Sequence, residues 1–139
     1  MTTEMRFESY SEARARLKDL LDAAENGWVA TVRRDDRTAA VVDSERLRYF
    51  LAKVLPARAE VVAEDSGWSM FLPGLPIGAD GETLDAAVDE MIDALREYAA
   101  DWQDHLRHAP NHQENWGLVQ MVSLSTDDQL REWLVGERG

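Results

Sequence analysis

The sequence predicts an α+β protein built from two small modules, residues 1–56 and 57–139. Two long stretches carry apolar residues at the spacing of a helix with one buried face, and runs of β-forming residues separated by polar turns flank them. The charge also divides: residues 1–58 hold 11 basic and 10 acidic side chains, whereas residues 59–139 hold 4 and 17, which together give the net charge of −12.

The first module, expected in the order β-α-β-β-α, begins with a strand and a helix. Met5–Glu8 is the strand, and the S-x-x-E spacing of Ser9 and Glu12 predicts a capping box at the start of the helix, with Ser11 as a competing N-cap. Asn26 and Gly27 end this helix, because glycine readily takes the left-handed conformation that follows a helix. The apolar residues expected on its buried face are Ala13, Leu17, Leu20, Leu21 and Ala24.

A hairpin and a second helix complete the first module. Strands at 28–32 and 38–42 flank a polar turn at 33–37. Ser44 is expected to cap the second helix and Pro56 to stop it. The residues expected on the inner face of this helix are Leu47, Phe50, Leu51 and Val54.

The second module is expected in the order β-β-α-β-α. Strands at 60–64 and 68–72 surround a turn, residues 73–82 hold too much proline and glycine for regular structure, and Thr83 caps a long helix that reaches Leu106. A buried strand and a closing helix follow, at Leu118–Leu124 and Thr126–Val135. The tryptophans are expected mostly in the core: Trp28, Trp68, Trp102, Trp116 and Trp133.

The composition is that of a folded chain in a reducing compartment. It is 45% hydrophobic and 30% charged, and it contains no cysteine, which excludes disulfides and thiolate metal sites. No apolar run approaches the roughly 20 residues of a membrane helix, and the N-terminal residues lack the apolar core of a secretory signal. We therefore expect a cytoplasmic protein with no membrane partner.

One set of motifs in the first module carries a resemblance. The matching residues are Ser11-Glu12-Ala13-Arg14, the stripe Leu17, Leu20 and Leu21, Gly27, Arg33-Arg34, Ala39-Ala40-Val41-Val42 and Ser44-Glu45-Arg46-Leu47. This pattern, over about residues 4–55, resembles the Phd/YefM antitoxins. The resemblance implies a module that dimerises and binds operator DNA. The family often has a glycine in the hairpin turn, where this chain has Asp35-Asp36.

The arginines of this module are the predicted DNA contacts. The resemblance assigns the contact to Arg14, Arg33 and Arg34, and the charge pattern adds Arg16 and Arg37. Arginine offers a bidentate fork to phosphate or guanine, and a helix N-terminus near Arg14 would add unpaired N–H groups. A single arginine is more often a solvated surface residue, so the hypothesis depends on all five lying at one end of the module.

The second module carries another resemblance. The matching segments are Glu64-Asp65-Ser66-Gly67-Trp68, Phe71-Leu72-Pro73-Gly74-Leu75 and Gly81-Glu82-Thr83-Leu84-Asp85-Ala86-Ala87. This pattern, over about residues 60–107, resembles the HicB-type antitoxin domain and implies a surface that binds a protein toxin. HicB proteins often carry a DNA-binding segment after this domain, and here no basic segment follows. The first module would supply that function instead.

The predicted partner-binding surface combines the proline- and glycine-rich loop with the acidic start of the long helix. A loop of about ten residues inside a small domain is more often functional than incidental. Tryptophan is favoured at interfaces, although Trp68 is more readily explained as a core residue. The predicted contact residues are Trp68, Leu72, Pro73, Gly74, Asp85, Asp89 and Asp93.

Catalysis and metal binding have little support. No nucleophile, histidine and acid are arranged as a triad, and no phosphate-binding loop is present. His105, His108 and His112 lie close in sequence, but Pro110 redirects the last, so they are better explained as polar residues at a helix end. We expect neither a cofactor nor a metal, and no enzyme activity.

The sequence therefore predicts an antitoxin of a type II toxin–antitoxin system. It would act as a homodimer that neutralises a basic, RNA-targeting protein toxin and represses its own operon by binding operator DNA. The alternatives left open are a stand-alone DNA-binding regulator and an interaction module that has lost its toxin.

Overall fold

The computed structural model describes residues 5–136, so residues 1–4 and 137–139, at the outer ends of the two predicted modules, lie outside the described part of the chain. The chain forms two compact units that meet at residues 47 and 48. This division falls inside the second predicted helix, ahead of the predicted module boundary at residues 56 and 57. The described residues form a mixed α+β fold, with one three-stranded sheet in each unit.

Unit 1, residues 5–47, is a small sheet covered by helices. Its elements are β1 (Arg6–Phe7), α1 (Tyr10–Ala15), α2 (Leu17–Glu25), β2 (Ala30–Arg34), β3 (Arg37–Val41) and the first residues of α3 (Ser44–Val54). The strand order is β1-β2-β3, with β1 parallel to β2 and β2 antiparallel to β3. The buried cluster of this unit consists of Phe7, Ala13, Leu20 and Ala30, with Met5, Val32 and Val41 packed against it.

The first predicted helix is two helices. Ser9 caps α1 as predicted, because its side chain accepts a hydrogen bond from the Glu12 N–H at 3.1 Å. The Glu12 carboxylate accepts from the Glu8 N–H and not from the Ser9 N–H, so the expected capping box is only half formed. Arg16 has φ −120° and ψ 35°, which is not helical, and it separates α1 from α2.

Gly27 ends α2 as the sequence predicts. It has a φ of +92°, and the N–H groups of Gly27 and Trp28 donate to the carbonyls of Ala24 and Ala23. This is the Schellman arrangement, which satisfies the last carbonyls of a helix. The prediction of one buried stripe was wrong in part, because Leu17 and Leu21 are 54% and 48% exposed.

The helix α3 also departs from the expected inner face. Asp43 and not Ser44 caps it, since the Asp43 carboxylate accepts from the Arg46 N–H at 3.0 Å. Leu51 is buried, but Phe50 and Val54 are exposed, so their assignment to the inner face was wrong. The helix stops at Val54, just ahead of Pro56, as predicted.

Unit 2, residues 48–136, holds a second sheet packed against a long helix. Its elements after α3 are β4 (Glu60–Glu64), β5 (Gly67–Phe71), β6 (Gly78–Gly81), α4 (Leu84–Asp101), a π-helical turn (Trp102–Leu106), a 3₁₀ turn (Gln113–Asn115), α5 (Trp116–Leu124) and α6 (Asp127–Val135). The sheet is antiparallel in the order β4-β5-β6, and α4 packs on β5 and β6. The cap predicted at Thr83 is present, and Thr126 forms a full capping box with Gln129.

Two predicted elements of unit 2 were wrong. Part of the proline- and glycine-rich segment forms β6, and the predicted strand Leu118–Leu124 belongs to the helix α5. The expected order β-β-α-β-α is therefore replaced by β-β-β-α-α-α. Glycine suits β6 because a Cβ on Gly81 would lie 2.3 Å from the Ala87 nitrogen of α4. A segment with apolar residues on every side gives no periodicity that separates a buried helix from a buried strand.

Two tryptophans were also misplaced by the sequence. Trp102 is buried and Trp68 and Trp133 are half-buried, but Trp28 and Trp116 are exposed. The assignment of these last two to the core was wrong.

Candidate functional site

The predicted DNA-contacting arginines of the hairpin divide between the two faces of the first sheet. Arg33 and Arg34 are neighbours in β2, so their side chains point to opposite faces. Arg34 pairs across the strands with Arg37, on the face that carries Val32. All three side chains are exposed.

The pair of Arg34 and Arg37 costs stability. Like charges that are directly opposite in an antiparallel pair repel each other. Among the described residues no carboxylate forms an ion pair with either side chain, and the Arg34 guanidinium lies 5.9 Å from the centre of the Tyr10 ring. A cross-strand arginine pair at a hairpin tip is suited to an anion that bridges both guanidinium groups.

Arg33 lies on the other face beside a residue that the predicted site omitted. The register pairs Arg6 with Thr31 and Arg33 with Thr38, so all four side chains share this face. They line a shallow cavity of about 280 Å³ together with Phe7 and Glu8. The parallel pairing of β1 with β2 brings Arg6 there, and no local pattern in the sequence predicts such a pairing.

The two arginines of the helical region have different surroundings. Arg14 is exposed in the last turn of α1, so the argument that placed it near a helix N-terminus was wrong. Arg16 lies 3.2 Å from the Asp19 carboxylate and 3.8 Å from that of Glu12, and its guanidinium lies 5.3 Å from the centre of the Phe7 ring. Arg16 therefore contacts carboxylates on both sides of the junction between α1 and α2.

Lys18 also forms an ion pair within its own helix. The Lys18 ammonium lies 2.8 Å from the Asp22 carboxylate, one helical turn away. This hydrogen bond and, to a smaller extent, the negative charge of Asp22 raise the pKa of Lys18 above its usual value of 10.5. Lys18 thus stays protonated at neutral pH.

The predicted partner surface of unit 2 includes a groove of about 400 Å³. Pro73 and Gly74 are exposed at its edge, whereas Leu72 is 3% exposed and contributes only its floor. The groove is closed on its other side by the segment that follows α3, where the Trp133 indole N–H donates to the Leu55 carbonyl at 2.8 Å. Trp68 is half-buried in β5, opposite Ala63 and Gly81.

The acidic face of α4 is only partly free. Asp85, Asp89 and Asp93 are all exposed, but the Arg131 guanidinium of α6 lies 3.8 Å from Asp85 and forms a close ion pair with Asp89. Of the three carboxylates, only Asp93 has no ion pair within the described residues. Part of the predicted contact surface therefore attaches α6 to α4.

A second arginine that the sequence did not single out joins three helices. Arg96 of α4 donates to the carbonyls of Val122 and Ser125 at 2.6 and 2.8 Å and pairs with Asp127 at 2.8 Å. It therefore satisfies carbonyls at the end of α5 and meets the first turn of α6. A basic residue within an acidic helix was the available signal.

Of the three histidines, His112 takes a structural role. The His112 ring nitrogen Nδ1 lies 2.8 Å from the Tyr98 hydroxyl, and the His112 carbonyl accepts from the Trp102 indole at 2.7 Å. His105 contacts its neighbour Asp104. Within residues 5–136 no three histidine, aspartate or glutamate side chains are placed to hold a metal ion.

No helix in the described part of the chain has both the length and the apolar character needed to cross a membrane.

A protein-family model matches residues 3–135, nearly the whole chain. It is the PHD-like model, whose description is an antitoxin of RelE/RelB toxin–antitoxin systems. The chain belongs to this family of antitoxins. One model spans the length that the sequence analysis divided between Phd/YefM-like and HicB-like modules, so that division remains a prediction.

A solved structure shares the fold of this antitoxin. It is a crystal structure from Syntrophomonas wolfei subsp. wolfei, described as an antitoxin part of a proposed toxin/antitoxin system. The TM-score is 0.80 at 20% identity, over 93% of this chain and 96% of that one. No curated protein matches the chain.

Proposed function

We propose that this antitoxin neutralises a protein toxin with unit 2 and represses its own operon by binding operator DNA with unit 1. It acts in the cytoplasm. The chain contains no cysteine, so it has no disulfide bond that the reducing conditions there could break. It performs no catalysis and needs no cofactor.

The observation that carries the DNA-binding proposal is the arginine pair at the hairpin tip. A chain with a net charge of −12 keeps Arg34 and Arg37 directly opposite each other, at a cost in stability. Bound phosphates would remove that repulsion. Charge is screened over about 8 Å at physiological salt, so the acidic half does not prevent local binding.

The exposed apolar residues of unit 1 support a homodimer. Leu17 and Leu21 lie one turn apart on α2 and are exposed, and Trp28 and Val29 just after the helix are exposed too. A unit of this size buries little apolar surface alone, and a second copy would cover these residues. A two-fold axis would present two arginine surfaces to a palindromic operator.

The charge of unit 2 supports a basic, RNA-targeting toxin. Residues 59–139, the greater part of unit 2, carry 4 basic and 17 acidic side chains, and two of the four basic side chains, Arg96 and Arg131, are already paired. The remaining acidic surface is complementary to a toxin that binds RNA through basic residues. Such a surface accelerates association and can occupy the RNA site.

Two assays on the full chain test the proposal. The product of a neighbouring small basic reading frame should arrest growth alone and not when the antitoxin is co-expressed. The antitoxin should also bind its own upstream DNA with an affinity that falls steeply with salt. DNA binding without any effect on growth would assign the chain to a stand-alone regulator and contradict the toxin half of the proposal.

A further inference from the structure

The strand β4 forms an open edge of the second sheet. The order β4-β5-β6 pairs it on one side only, and all five of its residues are exposed. Its centre is apolar, with Val61 and Val62 exposed by 41% and 47%. Native proteins usually protect such an edge, because it offers main-chain groups to any other extended chain.

The hairpin register shows which main-chain groups of β4 are open. Glu64 and Gly67 flank a two-residue turn and are partners, so they exchange the hydrogen bonds that close the hairpin. Along an antiparallel pair, residues bonded to the neighbouring strand alternate with residues that point away from it. Val62 is therefore bonded to β5, and the N–H and C=O groups of Val61 and Ala63 point to the open edge.

The side chains on the uncovered face of this sheet combine apolar and acidic character. Val62 and the exposed Phe71 share this face, since Phe71 is opposite Glu60 and Val62 is opposite Ser69. The Ser69 hydroxyl lies 2.6 Å from the Asp80 carboxylate and 3.2 Å from that of Glu64. An exposed apolar patch is thus bordered by the carboxylates of Glu60, Glu64 and Asp80.

This charge pattern indicates which kind of chain can pair with the open edge of β4. A second copy that pairs antiparallel over the full length of β4 would set Glu60 opposite Glu64 twice, and like charges in that position repel. An extended segment with apolar residues at its centre and lysine or arginine near its ends would meet Val62 and pair with both glutamates.

We propose that β4 is the edge to which an extended, basic segment of the toxin adds as a fourth strand. The main chain would provide the hydrogen bonds, and the alternating glutamates and Val62 would provide the specificity. This inference rests on the proposed toxin binding and specifies its surface.

Amide hydrogen exchange by NMR tests the proposal on the full-length antitoxin, alone and with the product of the neighbouring reading frame. In the free protein the Val61 and Ala63 amides should exchange quickly and the Val62 amide slowly. In the complex the Val61 and Ala63 amides should slow by at least about tenfold, because they become hydrogen-bonded. The Val62 amide, bonded to β5 in both states, is the internal reference.

The outcomes separate this inference from the proposed function. A complex that forms without protection of Val61 and Ala63 overturns the β4 proposal and leaves toxin binding intact. Protection of both amides before the partner is added assigns the edge to a second copy and also overturns it. If no complex forms, toxin binding fails, and this inference fails with it.

A matched pair of variants gives an independent measurement. Ala63→Pro removes an N–H that points to the open edge, which an edge strand tolerates. Ala40→Pro is its control, because Ala40 lies in the edge strand β3 of the other sheet and its N–H, by the same alternation, also points away. Ala63→Pro should weaken the complex at least about tenfold at an unchanged melting temperature, and Ala40→Pro should not. Equal affinities of folded variants would contradict the proposal.

Discussion

The two units of the antitoxin differ in the size of the apolar core that each buries by itself. The largest fully buried side chains are Met70, Val88, Met91, Leu95, Val119, Met121, Val122 and Leu130, and all of them belong to unit 2. Unit 1 buries Phe7, Ala13, Leu20, Ala23, Ala24 and Ala30, of which four are alanines, and leaves Leu17, Leu21, Trp28 and Val29 exposed. A small core beside exposed apolar side chains is what the proposed homodimer would require, since a second copy would cover those side chains.

Polar contacts show the same difference. In unit 2, Arg96 and Arg131 connect α4 to α5 and α6 through carbonyls and carboxylates distant in sequence. In unit 1, the ion pairs of Arg16 and Lys18 join residues of one helical region. The ion pairs of Arg96 and Arg131 in unit 2 therefore join separate helices, whereas those of Arg16 and Lys18 in unit 1 are local.

The largest expected effect comes from substitutions that should dissociate the proposed homodimer of unit 1. Leu17→Glu together with Leu21→Glu places two charges in the proposed dimer surface, so the chain should change from a dimer to a 15.7 kDa monomer in light scattering. Because both positions are exposed, each change should alter the stability of the monomer by only about 0.5 kcal/mol. A dimer that survives both substitutions would place the interface elsewhere.

The next effect measures the core of unit 2. Leu95→Ala removes a fully buried side chain of α4 and should lower the free energy of unfolding by about 2–5 kcal/mol, measured by urea denaturation. Leu21→Ala is the comparison, measured below the concentration at which the chain dimerises, where Leu21 is exposed and its truncation should cost far less. Similar losses for the two variants would remove the contrast between the units.

The arginines give a smaller effect that separates binding from structure. Arg33→Ala should weaken operator binding by about 1–3 kcal/mol if it reads a base, and should act equally on all sequences if it contacts phosphate only. Arg16→Ala is the matched control, since its guanidinium is occupied by Glu12, Asp19 and Phe7. Fluorescence anisotropy on upstream DNA provides the measurement, and a stronger loss for Arg16→Ala would reverse the assignment.

The smallest effect divides the acidic face of α4. Asp89→Lys breaks the pair with Arg131 and should destabilise unit 2 by up to about 1 kcal/mol, whereas Asp93→Lys should leave the melting temperature unchanged. Both variants should slow association with a basic toxin. Equal melting temperatures would show that the Arg131 pair adds nothing to stability.

Local signals in the sequence predicted much of this fold. The side-chain caps predicted at Ser9 and Thr83 and the bounds of β4 are confirmed. These features depend on a few adjacent residues, so a single sequence reveals them. The antitoxin class is confirmed by the family match, although the division into a Phd/YefM-like and a HicB-like module is not.

The errors arose where contacts between residues distant in sequence determine the local structure. The helix α5 is apolar on all sides, and nothing local distinguishes it from a strand. The strand β6 depends on Gly81, whose missing side chain lets it approach Ala87. Arg6 shares a face of the first sheet with Arg33 only because β1 pairs with β2. Asp85 and Asp89 looked free because Arg131 is distant in sequence.

The central claim is that one chain binds two partners through surfaces of opposite charge. The most direct test measures the affinities of the same full-length variants for upstream DNA and for the toxin. Arg34→Ala with Arg37→Ala should lose DNA affinity at least about tenfold and keep toxin binding, and Glu60→Lys with Asp93→Lys should do the reverse. Loss of both affinities in either variant, with the fold intact, would contradict the claim.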